Sequence, residues 1–505
     1  MIRRQVATRF QEAFAGLLGQ YLSPEALAFL PTHLRYLYLS SNRALTSDAY
    51  NRTMHQLSGN ISLTPTVYVQ SMRRSPFGKM VAAGQTTLLD RIFGRPISEG
   101  EVQVARDLAE RQHQHFPEDM WQAVLDNEGY LPVDIYAVPE GEVLLPHEPM
   151  FVVKGPNEIA AHLEPLLIPI FYPSAVATHA FLHTDQGQTS FALQDPRNVP
   201  DPYVGMLVND AAATGGIHST SSDAAAAGVT DMFSWGTVAH RFLSLILASG
   251  QSEYDAFKII DQKLDRPCYL VDLLDTFGSG VPAAIRVIKE SSKPQSLHAI
   301  RPDSGDMSTL VPDILRMLAA ENLNEVSIVV STLSDGDSLA ERKKISDAVR
   351  AAGFDPQKRL KFGAGGAMVW EKKSRSDWSA AYKISMAFDK GVLKLAEEIG
   401  KMSLPGIPMI FRNYQHATVQ SIVGQASETD QMAALGYQPI MVPVVLNGRV
   451  VSENLKAMGI DQTRVHWNVI TQKKHLRSNE TQAVAREFVA HAAPQRLGVL
   501  EAAGV

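Results

Sequence analysis

From about residue 267 onward, short apolar runs alternate with helix-length stretches, and this alternation limits the fold more than any other feature. The runs lie at 267–274, 297–301, 325–331 and 359–362. Helical periodicity covers 239–250, 280–292, 308–321 and 338–352 between and around them. A strand that is apolar at nearly every position is buried on both faces, which a parallel sheet covered by helices provides. Repeated strand–helix units of this length predict a parallel α/β barrel or a doubly wound sheet. In a barrel, reactive groups gather where the strands end.

Either side of this region the pattern differs. Residues 133–155 alternate and break at Pro-Glu-Gly and Pro-His-Glu-Pro, so they read as short antiparallel strands. Residues 157–184 read as a long apolar helix interrupted at Pro169 and Pro173. After 380 strands and turns return. A β-rich domain made from both chain ends, around a central barrel, is the expected architecture. Residues 1–22 carry apolar positions at helical spacing and read as a packed helix rather than a transit peptide. The net charge of −6 gives no argument for a nucleic-acid or membrane partner. No apolar run is expected to reach membrane-spanning length. The single cysteine, Cys268, excludes an internal disulfide and fits a cytoplasmic, reducing location.

Three stretches carry useful chemistry. Gly236-Thr-Val-Ala-His-Arg-Phe242 is a turn running into a helix, with His240 in the first turn. An imidazole there lies near backbone N–H groups and can receive or hand on a phosphoryl group. Two apolar runs end in acids: Asp272 and Asp275 on one, Asp303 and Asp306 on the next, with Arg301 just before. Such carboxylates can hold ribose hydroxyls or Mg²⁺ on a diphosphate, although any one of them also suits a helix cap. Phe362-Gly-Ala-Gly-Gly-Ala-Met-Val369 offers bare backbone at Gly365 and Gly366. That backbone can cradle a phosphate or simply make a tight turn. Ser334-Asp-Gly-Asp-Ser338 has the same two readings.

Taken in order, these pieces carry a resemblance. Asp48-Ala-Tyr-Asn-Arg-Thr-Met54, Val133–Gly141 with Pro146-His-Glu-Pro149, and Leu163-Glu-Pro-Leu-Leu167 come first. The His240 motif, the Leu270–Thr276 run with Ser279-Gly-Val-Pro282, Arg301-Pro-Asp-Ser-Gly-Asp306 and the Phe-Gly-Ala-Gly-Gly turn follow. Tyr382-Lys-Ile, Lys394-Leu-Ala-Glu and Ser403-Leu-Pro-Gly406 close the series. From about 46 to 455 the chain resembles the nicotinate phosphoribosyltransferases and, more distantly, the nicotinamide phosphoribosyltransferases. The Gly-Thr-x-Ala-His and Leu-Pro-Gly forms favour the first. The Gly-Gly and Arg-Pro-Asp-Ser-Gly forms lean to the second.

The resemblance implies an irregular TIM-like α/β barrel (171–404) beside an α/β sandwich (1–170 plus 405–505), in a homodimer with shared active sites. It implies NAD salvage by transfer of phosphoribose from PRPP to nicotinate, coupled to ATP hydrolysis and assisted by Mg²⁺. By resemblance His240 is phosphorylated, and Arg301 stabilises the leaving pyrophosphate. Asp303 lies on the ribose hydroxyls, and Ser304 and Gly305 bind substrate. Asp272 and Asp275 bind ribose or order Mg²⁺, so that Asp272 and Asp303 are the metal candidates. Gly365 and Gly366 hold the other phosphate. Tyr50 stacks on the pyridine from across the dimer, and Arg375, Lys383 and Lys401 supply positive charge. Where relatives carry Phe-Gly-x-Arg opposite the tyrosine, this chain has Phe191-Ala-Leu-Gln-Asp-Pro-Arg197 and an insertion, with Arg197 the candidate partner of the nicotinate carboxylate. The alternatives are nicotinamide as substrate, or a catalytically silent relative kept as a binding protein.

Overall fold

The structure, a computed structural model, describes residues 21–184, 191–193, 197–331, 333, 337–395, 401–415, 418–454, 457–470 and 476–498. The helix expected over 1–22 and the turn at 334–336 therefore lie mostly outside the described residues, as do the last two residues of Lys394-Leu-Ala-Glu. The chain divides into two compact units, Met1–Ser174 with Arg375–Val505, and Ala175–Ser374.

The first unit is built on a seven-stranded sheet in the order Lys390–Gly391, Ala380–Ala387, Pro65–Met72, Pro149–Pro156, Asp134–Ala137, Val442–Leu446, Arg449–Val450. Every neighbouring pair is antiparallel. A smaller four-stranded sheet contains Pro408–Asn413 and Gln420–Gln425. The second division of the chain falls at 374/375, where the sequence placed it at 404/405. The cause is strand Ala380–Ala387, which bonds along Pro65–Met72 from Thr66–Ala387 to Met72–Ala380 and so belongs with the first unit.

Residues 157–184 are not one helix. Short helices at Asn157–His162 and Glu164–Leu167 lead into a tight turn of 3-10 helix at Ile168–Ile170, and then into helix Phe171–Thr184. Pro173 sits in the first turn of that last helix, where its missing N–H is not needed. Contrary to the expectation that no apolar run is long enough, this stretch has the length and apolarity to cross a membrane. Its most apolar window is 61% buried within the protein, as in a core helix.

Among its described residues the second unit carries seven strands: β1 (Phe191–Leu193), β2 (Ser219–Thr220), β3 (Phe233–Ser234), β4 (Cys268–Leu270), β5 (Ala299–Arg301), β6 (Ser327–Val330) and β7 (Leu360–Ala364). All pair in parallel, in the order β3-β2-β1-β7-β6-β5-β4. Each strand thus lies beside its successor in the chain except at β3 and β4, while the first strand pairs with the last. The parallel α/β expectation holds in this coarser form. A closed barrel does not form: among the described residues no pairing joins β3 to β4.

Register decides which side chains face together, because successive residues of a strand point to opposite faces. Cys268 is paired with Ala299, Leu270 with Arg301, and Val329 with Lys361. Ala299 is also paired with Ser327, two residues before Val329. One face therefore carries Cys268, Ala299, Arg301, Val329 and Lys361. Tyr269, Ile300, Ile328, Val330 and Phe362 take the other, and all five are buried.

Candidate active site

The site is assembled at the C-terminal ends of β4, β5 and β6. Val271 continues β4 by donating its N–H to the carbonyl of Arg301, which sets Asp272 beside the end of β5. Asp272 is 4% exposed at its side chain. One of its oxygens accepts from the Asp303 N–H at 3.1 Å and from the Ser304 hydroxyl at 2.6 Å. The other lies 3.1 Å from His240 Nε2. His240 opens the helix His240–Ala248 and remains 40% exposed at its side chain. An ionised carboxylate only accepts hydrogen bonds, so Nε2 is the nitrogen that donates in this contact. Nδ1 is 3.9 Å from Asp303 Oδ2.

Arg301 ties the cluster together. Its Nε donates to the Ser331 hydroxyl at 2.7 Å, and its Nη1 donates to Thr237 Oγ1 and, at 3.2 Å, to the Val238 carbonyl. Its Nη2 donates to Asp303 Oδ1, which also accepts from Ser331 at 2.8 Å. Thr237 and Val238 are in the turn that delivers His240, so one guanidinium orients both the acid and the imidazole. Burial opposes ionisation of Asp303, but the charge of Arg301 and the hydrogen bonds from Ser331 and Arg301 outweigh it, and the carboxyl is held below the usual range.

The four acids at the strand ends separate into two kinds. Asp272 and Asp303 converge on His240. Asp275, expected on the ribose or Mg²⁺, is engaged elsewhere: its carboxylate accepts from the N–H groups of Phe277 and Gly278 at 3.1 and 2.9 Å, capping the turn Thr276–Gly280. Asp306 likewise caps helix Met307–Ala320 through Ser308. Gly305 has φ +96°, and a Cβ there would come within 2.7 Å of Leu310, so the bend between Ser304 and Asp306 requires glycine.

A cleft of about 640 Å³ opens over this cluster, and Arg197, Trp235, His240, Arg241, Arg301 and Lys361 are among the side chains lining it, with Asp303 the acid. Arg197 is thus brought to the cleft despite its irregular motif. Gly363 reaches the cleft, whereas Gly365 and Gly366 lie beyond it, at the start of the short helix Gly366–Trp370. Asp337 caps helix Ser338–Ala351 through the Ala340 N–H at 3.0 Å. Among the described residues no group of three or more His, Cys, Asp or Glu side chains is placed to hold a metal ion. Asp272 and Asp303 are the two carboxylates that meet at His240.

Tyr50, Arg375 and Lys383 lie in the first unit and come together there. The Tyr50 hydroxyl donates to Glu164 at 2.7 Å, and Lys383 Nζ is 3.4 Å from the other Glu164 oxygen. Burial, then the hydrogen bond and charge of Glu164, push the Tyr50 phenol upward, and Arg375 acts in the opposite sense. The ring remains 47% exposed. Lys401 is exposed.

With this geometry in hand, the chain can be compared with known proteins. No family model matches it. Over 423 residues it is 25% identical to a nicotinate phosphoribosyltransferase of Mycobacterium tuberculosis, covering 81% of this chain and 83% of the relative. The chain resembles the nicotinate phosphoribosyltransferases. Over 485 residues it is also 23% identical to a nicotinamide phosphoribosyltransferase of Xanthomonas campestris, covering 85% and 99% of the two chains. The human nicotinic acid phosphoribosyltransferase structure shares its fold with a TM-score of 0.62 at 18% identity, over 87% of this chain and 99% of that one. A nicotinate-nucleotide pyrophosphorylase from Pyrococcus furiosus does so with a TM-score of 0.61 at 18% identity, over 87% and 96%.

Sequence reasoning missed Ser331 and Lys361. Ser331 directly follows β6 and bridges Arg301 to Asp303. A polar residue ending an apolar run was its one visible signal. Lys361 showed as a single charge inside an apolar strand.

Proposed function

We propose that this chain is a nicotinate phosphoribosyltransferase. The supporting observation is that His240, Arg301 and Asp303 line one cation-rich cleft, with Asp272 buried against His240, in a chain similar over four-fifths of its length to enzymes of that name. The pyridine nitrogen of nicotinate forms a bond to the anomeric carbon of PRPP. The carbon–oxygen bond to the diphosphate breaks, and pyrophosphate leaves with the electron pair. Positive charge gathers on the ribose and negative charge on the leaving group, so fixed charges matched to that change lower the barrier. Asp303 faces the ribose and Arg301 the leaving group. Mg²⁺ would be held by Asp272 and Asp303 and would offset charge on the diphosphate. Arg197 pairs with the nicotinate carboxylate. Incubation with nicotinate and PRPP is expected to yield nicotinate mononucleotide and pyrophosphate.

ATP enters through His240. Its Nδ1 attacks the terminal phosphorus, ADP leaves, and hydrolysis later returns the free imidazole and phosphate. Asp272 keeps the proton on Nε2 and steadies the positive charge that develops on the ring, as a carboxylate does for an imidazole elsewhere. His240→Ala should abolish stimulation by ATP and leave slow, ATP-independent transfer. Full ATP coupling in that variant would remove the phosphohistidine from the scheme.

Tyr50, supplied by a second copy of the chain, gives the pyridine a flat stacking wall. Tyr50→Ala should raise the KM for nicotinate about ten-fold, as expected for ~1–1.5 kcal/mol of stacking, with little change in the KM for PRPP. Equal changes in both would make Tyr50 scaffold. The nicotinamide reading keeps one specific support, the relative of that name matched over 99% of its length.

A further inference from the structure

Arg301 is held by its neighbours in the cluster. Ser331, Thr237, Val238 and Asp303 accept from Arg301 and use all but one of the N–H groups a guanidinium offers. It contributes charge, but its hydrogen-bonding capacity is nearly spent on holding the site together.

Lys361 stands on the same sheet face, paired in register with Val329, and lines the same cleft. It is half-buried. Among the described residues no hydrogen bond or ion pair reaches its ammonium, so three N–H donors remain unspent. Its neighbours on that face, Cys268, Ala299 and Val329, are buried and make an apolar cluster. Burial, with Arg266 acting in the same sense, outweighs the opposing effect of Cys268 and pushes the Lys361 ammonium down from its ordinary value. Burial pushes the Cys268 thiol up to about 12, so at neutral pH it stays protonated and does not balance the ammonium. A partly desolvated ammonium beside an arginine is costly to leave alone. An oxyanion arriving from the cleft would offset that cost.

We infer that Lys361 binds an oxyanion of the substrates from the floor of this cleft, either a phosphate oxygen of PRPP or the carboxylate of nicotinate. The inference deepens the proposed function and rests on it for the identity of the ligands. It assigns Lys361 direct contact with substrate, which distinguishes it from Ser331, whose bonds are to Arg301 and Asp303.

The test compares the full-length protein with Lys361→Met, which keeps the length of the side chain and removes its charge, and Lys361→Arg, which keeps the charge. The affinities for PRPP and for nicotinate are measured separately by calorimetry, and the two KM values by steady-state assay. Lys361→Met should weaken one ligand by about ten-fold or more, the scale of a hydrogen bond to a charged group, and Lys361→Arg should restore most of the loss. A selective effect on PRPP identifies the phosphate, and a selective effect on nicotinate identifies the carboxylate. Unchanged affinity for both ligands would overturn the inference, as would an equal loss for both accompanied by a lower melting temperature. If the wild-type protein transfers phosphoribose to neither pyridine, the functional reading fails by itself. Lys361 is then tested with inorganic pyrophosphate as the probe. Weaker binding of pyrophosphate by Lys361→Met keeps the oxyanion site, and equal binding removes it.

Discussion

Replacing Arg301 by methionine is expected to lower kcat/KM for PRPP by about 10²–10³, the usual cost of removing one group that meets developing negative charge. Two consequences of one deletion set the size. The leaving group loses a fixed positive charge, and Asp303 loses the cation that holds its carboxyl low. The Thr237 hydroxyl and Val238 carbonyl lose their donor as well, so the turn before His240 loosens. The pH profile separates these effects from general damage. In the wild type the Asp303 carboxyl is depressed, so its contribution is present at neutral pH and fades only as pH falls through that depressed value. Without Arg301 the carboxyl rises, and the acid limb of kcat/KM should move to higher pH. A loss below ten-fold with an unmoved acid limb would show that Arg301 serves neither purpose.

The largest effect on stability is expected at Arg412, in the first unit. Its side chain is fully buried in strand Pro408–Asn413. It pairs with Glu142 at 2.5 Å and Glu148 at 3.0 Å, and donates to the Val143 carbonyl at 2.6 Å. His466 also meets Glu142, at 2.8 Å. Burial alone would raise the Glu142 carboxyl, but Arg412 and then His466 outweigh it, and it is held below its ordinary value. Arg412→Met leaves two buried carboxylates without their cation, at a cost of about 3–5 kcal/mol. Urea unfolding should show that loss as a lower midpoint at neutral pH. The depressed Glu142 contributes stability above the ordinary carboxylate range and loses it as pH falls. The gap between wild type and variant should therefore narrow in acid. A loss under about 1 kcal/mol at neutral pH would mean that water reaches the carboxylates, as for exposed pairs.

The parts of the fold that are legible in the sequence depend on local pattern. Alternating apolar runs and helical stretches give the parallel α/β unit because burial on two faces leaves its mark on every residue of a strand. The strands before 156 and after 380 are equally visible. Closure is not, because it depends on whether two-residue strands such as Phe233–Ser234 find a partner, and their sequence does not differ from that of a loop. Nor is the 374/375 division, which rests on a long-range pairing between Ala380–Ala387 and Pro65–Met72. At the site, residue types and their order identify His240, Asp272, Arg301 and Asp303. They do not separate Asp272 from Asp275, or Asp303 from Asp306, since each pair stands at a strand end with the same spacing. The turns that follow make the distinction, because Asp275 and Asp306 are taken up by the N–H groups just after them. Ser331 and Lys361 leave only a faint mark in the sequence; hydrogen bonds to Arg301 and Asp303 place the first, and the register of Val329 with Lys361 places the second.

The central claim is that this cleft joins a pyridine carboxylate to phosphoribose. Product formation with PRPP, Mg²⁺ and ATP, offering nicotinate and nicotinamide in separate reactions, tests it most directly. The account predicts nicotinate mononucleotide and pyrophosphate in equal amounts from nicotinate, with nicotinamide much the poorer substrate. Turnover of nicotinamide alone, or of neither pyridine, would contradict it.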